Sequence, residues 1–129
     1  MRKKNKRPIQ IMFVDNDQHI RESLKVFFKN SDMSYLIFKS AAEGLNALKS
    51  QKIDIVISDY FLPDMDGVKF LKMVKKMNPT VKRILMATLT NNDLRQAIKK
   101  EKIEGFVEKP LTVSFLDKII QGIISTEGD

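Results

Sequence analysis

The sequence predicts an α/β domain built on a five-stranded parallel sheet with helices on both faces. Five short apolar runs alternate with five stretches whose apolar residues recur every three or four positions. Residues that favour turns separate most of them, and no interdomain linker, low-complexity tract or longer repeat interrupts the alternation. The 129 residues, 43% hydrophobic and 30% charged, suit one domain of ordinary size. Strand–helix alternation of this kind requires right-handed crossovers, which put helices on both faces of the sheet.

Each element has its own signal. After Pro8, IQIMFV (9–14) is a short run of sheet-packing residues and reads as a buried strand. From Asp17 or Gln18 to about Lys29, the spacing of Ile20, Leu24, Phe27 and Phe28 describes an amphipathic helix, closed by Asn30-Ser31-Asp32. SYLIFK (34–39) is the second strand, AAEGLNALKSQ (41–51) the second helix and IDIVIS (53–58) the third strand. GVKFLKMVKKM (67–77) is a helix with Val68, Leu71 and Val74 expected inward, and KRILMAT (82–88) a strand. NDLRQAIKKEK (92–102) is a weaker helix, EGFVEK (104–109) a short strand and VSFLDKIIQGII (113–124) the last helix. Met65, Met73, Met77 and Met86 read as core filling or partly exposed helix residues.

Composition excludes several kinds of chemistry. Without cysteine there is no disulfide framework, thiolate metal site or cysteine nucleophile, and the single histidine, His19, cannot form a multi-imidazole site. The apolar runs fall far short of a membrane span and no secretory leader is evident, so a cytoplasmic protein is expected. Of the net charge of +7, residues 2–7 supply +5 and residues 8–129 only +2. Residues 1–8 therefore read as a basic, disordered arm, residues 9–125 as the domain and 126–129 as a tail with no effector domain.

In parallel α/β sheets, ligands bind beyond the carboxyl ends of the strands. Those ends carry Asp15-Asn16-Asp17, Asp59, Thr88 and Lys109. Single residues of these types often cap helices or turns. Acids, a hydroxyl and an amine in register at four strand ends are better explained by a shared site, because such groups are costly to bury without partners.

MFVDND, SDYFLPDMDG, ILMAT and FVEKP, in that order from Met12 to Pro110, resemble the receiver domain of two-component response regulators, including the chemotaxis-type single-domain receivers. The resemblance spans Ile9 to Ile124. It implies a flavodoxin-like doubly wound (βα)5 fold with strand order 2-1-3-4-5. It implies that Asp59 is the phosphoacceptor, taking a phosphoryl group from a sensor histidine kinase or histidine phosphotransfer protein with Mg²⁺ (or Mn²⁺). It further implies that Asp15, Asn16, Asp59 and the Phe61 backbone carbonyl serve the metal, Asp15 through a bound water, and that Lys109 and Thr88 bind the phosphoryl group. Thr88 and Phe106 would form the switch, and Pro63, Asp66, Gly67 and Pro110 would shape the turns, Asp66 as a helix N-cap and Pro110 after a bond that is cis in many members. The downstream target would meet the face of helix four, strand five and helix five. A homodimer is compatible with this reading, and no nucleic-acid contact by the domain or membrane span is expected. Such a protein is regulatory, catalysing only its own phosphotransfer and slow autodephosphorylation.

Two positions depart from the family pattern. Asn16 stands where a second acid is usual, which removes a charge and should weaken the metal, with Asp17 next door as a candidate replacement. Leu89 follows Thr88 where a small residue is usual, and Thr90 lies at a position that tunes phosphate lifetime. Phe61 offers no hydrogen-bonding side chain to align a hydrolytic water. Two further readings remain open: a phosphate-independent receiver used for docking or dimerisation, and a small haloacid-dehalogenase-type phosphohydrolase built on Asp15-Asn16-Asp17.

Overall fold

The computed structural model describes residues 8–88 and 91–128. The five cations of the basic arm, together with Leu89 and Thr90, lie outside the described residues. Among the described residues the order is β1 (Gln10–Val14), α1 (Gln18–Lys29), β2 (Ser34–Phe38), α2 (Ala41–Leu48), β3 (Ile55–Asp59), α3 (Gly67–Met77), β4 (Lys82–Ala87), α4 (Asn92–Lys100), β5 (Gly105–Glu108) and α5 (Val113–Gly128). The strands form one parallel sheet in the order β2-β1-β3-β4-β5, as expected.

Strand side chains alternate between the two faces, and both faces are covered. Met12, Val14, Val56, Leu85 and Ala87 point to the side packed by α2, α3 and α4. Ile11, Phe13, Ile55, Ile57, Ile84 and Met86 point to the side packed by α1 and α5. This is why the inner strands read as unbroken apolar runs rather than alternating ones. Phe28 anchors α1, with its ring 5.3 Å from Phe13 and 5.7 Å from Tyr35. Truncating such a buried ring to alanine costs about 3–5 kcal/mol.

Element boundaries differ where capping or phase decides them. The second helix stops at Leu48, not Gln51, while α5 continues past the expected Ile124 to Gly128. In α3 the inward residues are Gly67, Phe70, Leu71 and Val74, with Val68 only half-buried on the flank toward α4. Met86 is buried, whereas Met73 and Met77 are exposed on α3.

Arg83 on β4 is only 1% exposed. Its guanidinium donates to the Glu104 carboxylate at 3.2 Å and to the carbonyls of Leu71 (3.3 Å), Glu101 (2.8 Å) and Lys102 (3.0 Å). The backbone N–H of Arg83 donates to the same Glu104 oxygen at 2.8 Å. A buried cation is tolerated because nearly all its donors find acceptors, and it ties α3, the end of α4 and the start of β5 to the sheet.

Candidate functional site

The carboxyl ends of β1, β3 and β5 bring three predicted residues together. Asp59 is the last residue of β3, and Asp15 and Lys109 each follow directly on β1 and β5. The ammonium of Lys109 lies 3.2 Å from Asp59 Oδ1 and 3.4 Å from Asp15 Oδ2. Backbone hydrogen bonds fix these positions: Asp15 N–H donates to the Phe38 carbonyl (3.0 Å), Tyr60 N–H to Met86 (2.7 Å) and Lys109 N–H to Ala87 (2.8 Å). The sheet pairing thus continues one residue past the strands and sets the carboxylates and the amine at one height.

Asp15 is fully buried. Its Oδ1 accepts the Asp17 N–H at 2.8 Å, while Oδ2 accepts no hydrogen bond among the described residues. Burial pushes the Asp15 carboxyl above the ordinary aspartate range, and the Asp59 charge adds to this, against the opposing Asp17 N–H and Lys109 ammonium. The partner of that buried oxygen is the Lys109 ammonium, so two carboxylates share one cation, an arrangement that favours a further positive charge.

The remaining predicted residues fall around this core. Asn16 is exposed. Asp17 is the N-cap of α1, its Oδ1 accepting the N–H groups of His19 (2.8 Å) and Ile20 (3.3 Å). That oxygen is committed to helix amides, which speaks against Asp17 as a ready substitute for the acid missing at Asn16. Thr88 stands one residue beyond β4, exposed, and lines a cavity of about 640 Å³ between α3 and α4 together with Tyr60, Phe61, Val68 and Leu94. Phe61 is 69% exposed, its ring 4.9 Å from Tyr60 and edge-on to it. Phe106 pairs with Leu85 in register and packs half-buried against the core on the α2–α3–α4 side. His19 is an exposed residue of the first turn of α1, beside Lys109 and Pro110 in a shallow cleft.

The turn after Asp59 is tightly built. Asp66 caps α3 by accepting the Lys69 N–H at 2.8 Å, and Phe61 and Asp66 form an antiparallel bridge. Gly67 N–H donates to the Tyr60 carbonyl at 2.6 Å. A Cβ at Gly67 would collide with the Asp59 carbonyl oxygen and lie 2.9 Å from Tyr60 Cα, so only glycine fits. Pro63 is exposed in this loop, and the Lys109–Pro110 bond is cis.

Sequence reasoning missed two supports. Asp64 accepts the N–H groups of Ala41 (3.0 Å) and Ala42 (2.8 Å), pinning the loop after Asp59 to the start of α2. Arg21 donates from Nη1 to the Asp15 carbonyl at 2.9 Å, holding the β1–α1 turn. Nothing local in the sequence marked either contact.

Known proteins share this fold. The model of the response regulator receiver domain family matches residues 11–121. The chain therefore belongs to the response regulator receiver domains. It is 29% identical over 115 residues to the DNA-binding transcriptional regulator NtrC of Proteus hauseri, covering 89% of this chain and 24% of that protein. Among solved structures it resembles the signal receiver domain of an HD domain-containing protein from Pseudomonas fluorescens Pf-5, with a TM-score of 0.86, 25% identity and coverage of 93% and 97% of the two chains. A CheY-like receiver from Methanospirillum hungatei JF-1 shares the fold, with a TM-score of 0.84 at 24% identity over 94% and 98% of the chains. The chain spans about a quarter of the length of the NtrC relatives it matches. No helix among the described residues is long and apolar enough to cross a membrane.

Proposed function

We propose that this receiver accepts a phosphoryl group on Asp59 from a phosphohistidine of a sensor kinase or phosphotransfer protein. An Asp59 oxygen attacks phosphorus, the phosphorus–nitrogen bond breaks, and the imidazole leaves with that electron pair. The observation that carries the reading is the trio of Asp59, Asp15 and Lys109, joined at 3.2 and 3.4 Å at the sheet edge. Lys109, already paired with the nucleophile, is held where a cation can neutralise the phosphoryl oxygens. Thr88, at the same edge, is the candidate hydrogen-bond donor to the bound phosphoryl.

The donor set suits a divalent cation with a preference for oxygen. Asp15, whose Oδ2 has only the Lys109 ammonium as partner, Asp59, the Asn16 amide oxygen and the Phe61 carbonyl would hold Mg²⁺ or Mn²⁺. When bound, the ion supplies charge neutralisation and orientation of the phosphoryl group. Among the described residues no group of three or more His, Cys, Asp or Glu gathers, so weak metal affinity is expected.

Phosphorylation would then draw Thr88 inward and turn Phe106 into the space released, remodelling the α4–β5–α5 face for a protein target. Phe61, apolar and outward, predicts slow autodephosphorylation. The family match gives the phosphohydrolase reading no support, and the buried acid–lysine trio favours phosphorylation over a phosphate-independent docking module. The test is intact mass after incubation with acetyl phosphate, with and without Mg²⁺, beside Asp59→Asn. A metal-dependent gain of one phosphoryl group, absent in the variant, is expected. No gain at saturating Mg²⁺ in the wild type, with gain in Asn16→Asp, would assign this chain to the docking reading.

A further inference from the structure

The fold segregates charge in a way the acid–lysine site does not use. Residues 66–104 hold ten Lys and Arg against four Asp and Glu, a net +6, while the rest of residues 8–129 hold eight against twelve, a net −4. The excess is displayed outward: Lys69, Lys72 and Lys76 on α3 and Arg95, Lys99 and Lys100 on α4 are all exposed. The two helices lie side by side, since Lys72 of α3 reaches Glu101 at the end of α4 at 3.8 Å and both helices wall the same cavity. Lysines in a helix's last turn complement its dipole, which accounts for Lys76, Lys99 and Lys100. Lys72 stands outside those turns and pairs with Glu101, and Lys69 stands outside them without a dipole explanation.

We propose that this α3–α4 face binds nucleic acid through the phosphate backbone, without sequence preference. This binding would follow from the charge distribution, independently of phosphorylation. Its composition decides the class of partner. Protein–protein contact cores are depleted in lysine, whereas five of the six exposed cations of this face are lysines. Lysine serves phosphate as a point charge, and a polyanion gains from many such contacts through counterion release. A lipid surface calls for broad apolar insertion beside the charge, but most of the apolar stripe of α3, with Phe70, Leu71 and Val74 at 0% exposure, is consumed by the core, and only Met73 and Met77 remain partly exposed. The five cations at residues 2–7 carry the same sign and add to the attraction. The resemblance implied no nucleic-acid contact by the domain; the segregation of its charge is the ground for departing from that expectation.

The test is fluorescence anisotropy of the 129-residue chain with a short random-sequence DNA duplex from about 50 to about 200 mM salt. Alongside it go a face variant (Lys69→Gln, Lys76→Gln, Lys99→Gln, Lys100→Gln) and an arm variant with Arg2, Lys3, Lys4, Lys6 and Arg7 changed to Gln. Circular dichroism melts verify that both fold. The wild type is expected to bind with a steep salt dependence. Each lysine in phosphate contact contributes about 0.9 to the log–log slope, so the face variant should lower it by up to about 3.6. An unrelated duplex should bind equally well. No binding at the lowest salt overturns the proposal, as does a face variant with wild-type affinity and slope, which would leave the arm alone responsible. Tighter binding to phosphatidylserine vesicles than to DNA, lost in the face variant, would replace nucleic acid with a membrane and refute it equally.

Discussion

Gly67→Ala should be destabilising and should slow phosphorylation, although alanine in place of glycine in a helix ordinarily stabilises by about 0.5–1 kcal/mol. The reason is what the new methyl group meets. Its three nearest neighbours are the Asp59 carbonyl oxygen, Tyr60 Cα at 2.9 Å and the Asp59 carbonyl carbon at 3.0 Å, all backbone atoms that no rotamer change can move aside. Overpacking of this kind costs about 1–3 kcal/mol. After the helix-propensity gain, a net loss of about 1–2 kcal/mol remains, and with a urea slope of about 1–3 kcal/mol per molar the midpoint should fall by roughly 1 M. Relief requires the first turn of α3 to separate from the segment carrying Asp59, which breaks the 2.6 Å Gly67–Tyr60 hydrogen bond. A displacement near 1 Å at a reacting group costs up to about a hundredfold in rate. The assay pairs urea unfolding with the rate of phosphoryl gain by intact mass. Gly122→Ala is the control, because a Cβ there meets nothing within 4 Å. A Gly67→Ala protein with a wild-type midpoint would refute the steric reasoning. One with a lowered midpoint but a wild-type rate would refute the link from this glycine to Asp59.

Asp15→Asn should raise the urea midpoint at neutral pH while slowing phosphorylation. Because burial lifts the folded pKa of Asp15, its ionisation costs stability, so the variant's advantage should be absent below the unfolded value near 3.9, grow as pH rises through it and level off above the folded value. An advantage that shrinks as pH rises would contradict this. Asp64 behaves oppositely: burial alone would raise its pKa, but the N–H groups of Ala42, Ala41 and its own residue outweigh that and depress it. Its contribution is therefore present above the unfolded value near 3.9 and lost as pH falls through the depressed folded one. Asp64→Asn should cost about 0.5–1 kcal/mol at neutral pH in urea melts and flatten the acid limb of the stability curve. Arg83→Met should cost about 3 kcal/mol, since it leaves three carbonyls without their guanidinium donor and Glu104 with only the residue-83 backbone N–H and Lys75, and a loss under about 1 kcal/mol would show that water replaces the guanidinium.

What could be read from the chain follows from how far apart in sequence its causes lie. The sheet was legible because each inner strand is buried on both faces and so is written as a continuous apolar run, which then marks its own carboxyl end. Asp15, Asp59 and Lys109 were legible for the same reason, since strand order and parallel pairing bring three such ends to one height. Arg83 defeated this logic. A charge inside a strand reads as solvent-facing, and the groups that make its burial tolerable, at Leu71, Glu101, Lys102 and Glu104, lie 12 to 21 residues away. Asp64 is similar, capping a helix 22 and 23 residues earlier in the chain. Asp17 is the instructive contrast, because its role was local. An aspartate just before an amphipathic run is a helix cap by ordinary preference, and that reading outranks the metal-binding one suggested by its neighbours. With one Asp17 oxygen bound to the amides of His19 and Ile20, the acid missing at Asn16 has no ready replacement from the adjacent residue. The charge left to hold a cation is that of Asp15 and Asp59, which already share Lys109. Under the proposed function, sensitivity to metal concentration would be set at Asn16, and Asn16→Asp is the change that would separate a weakened switch from an abandoned one.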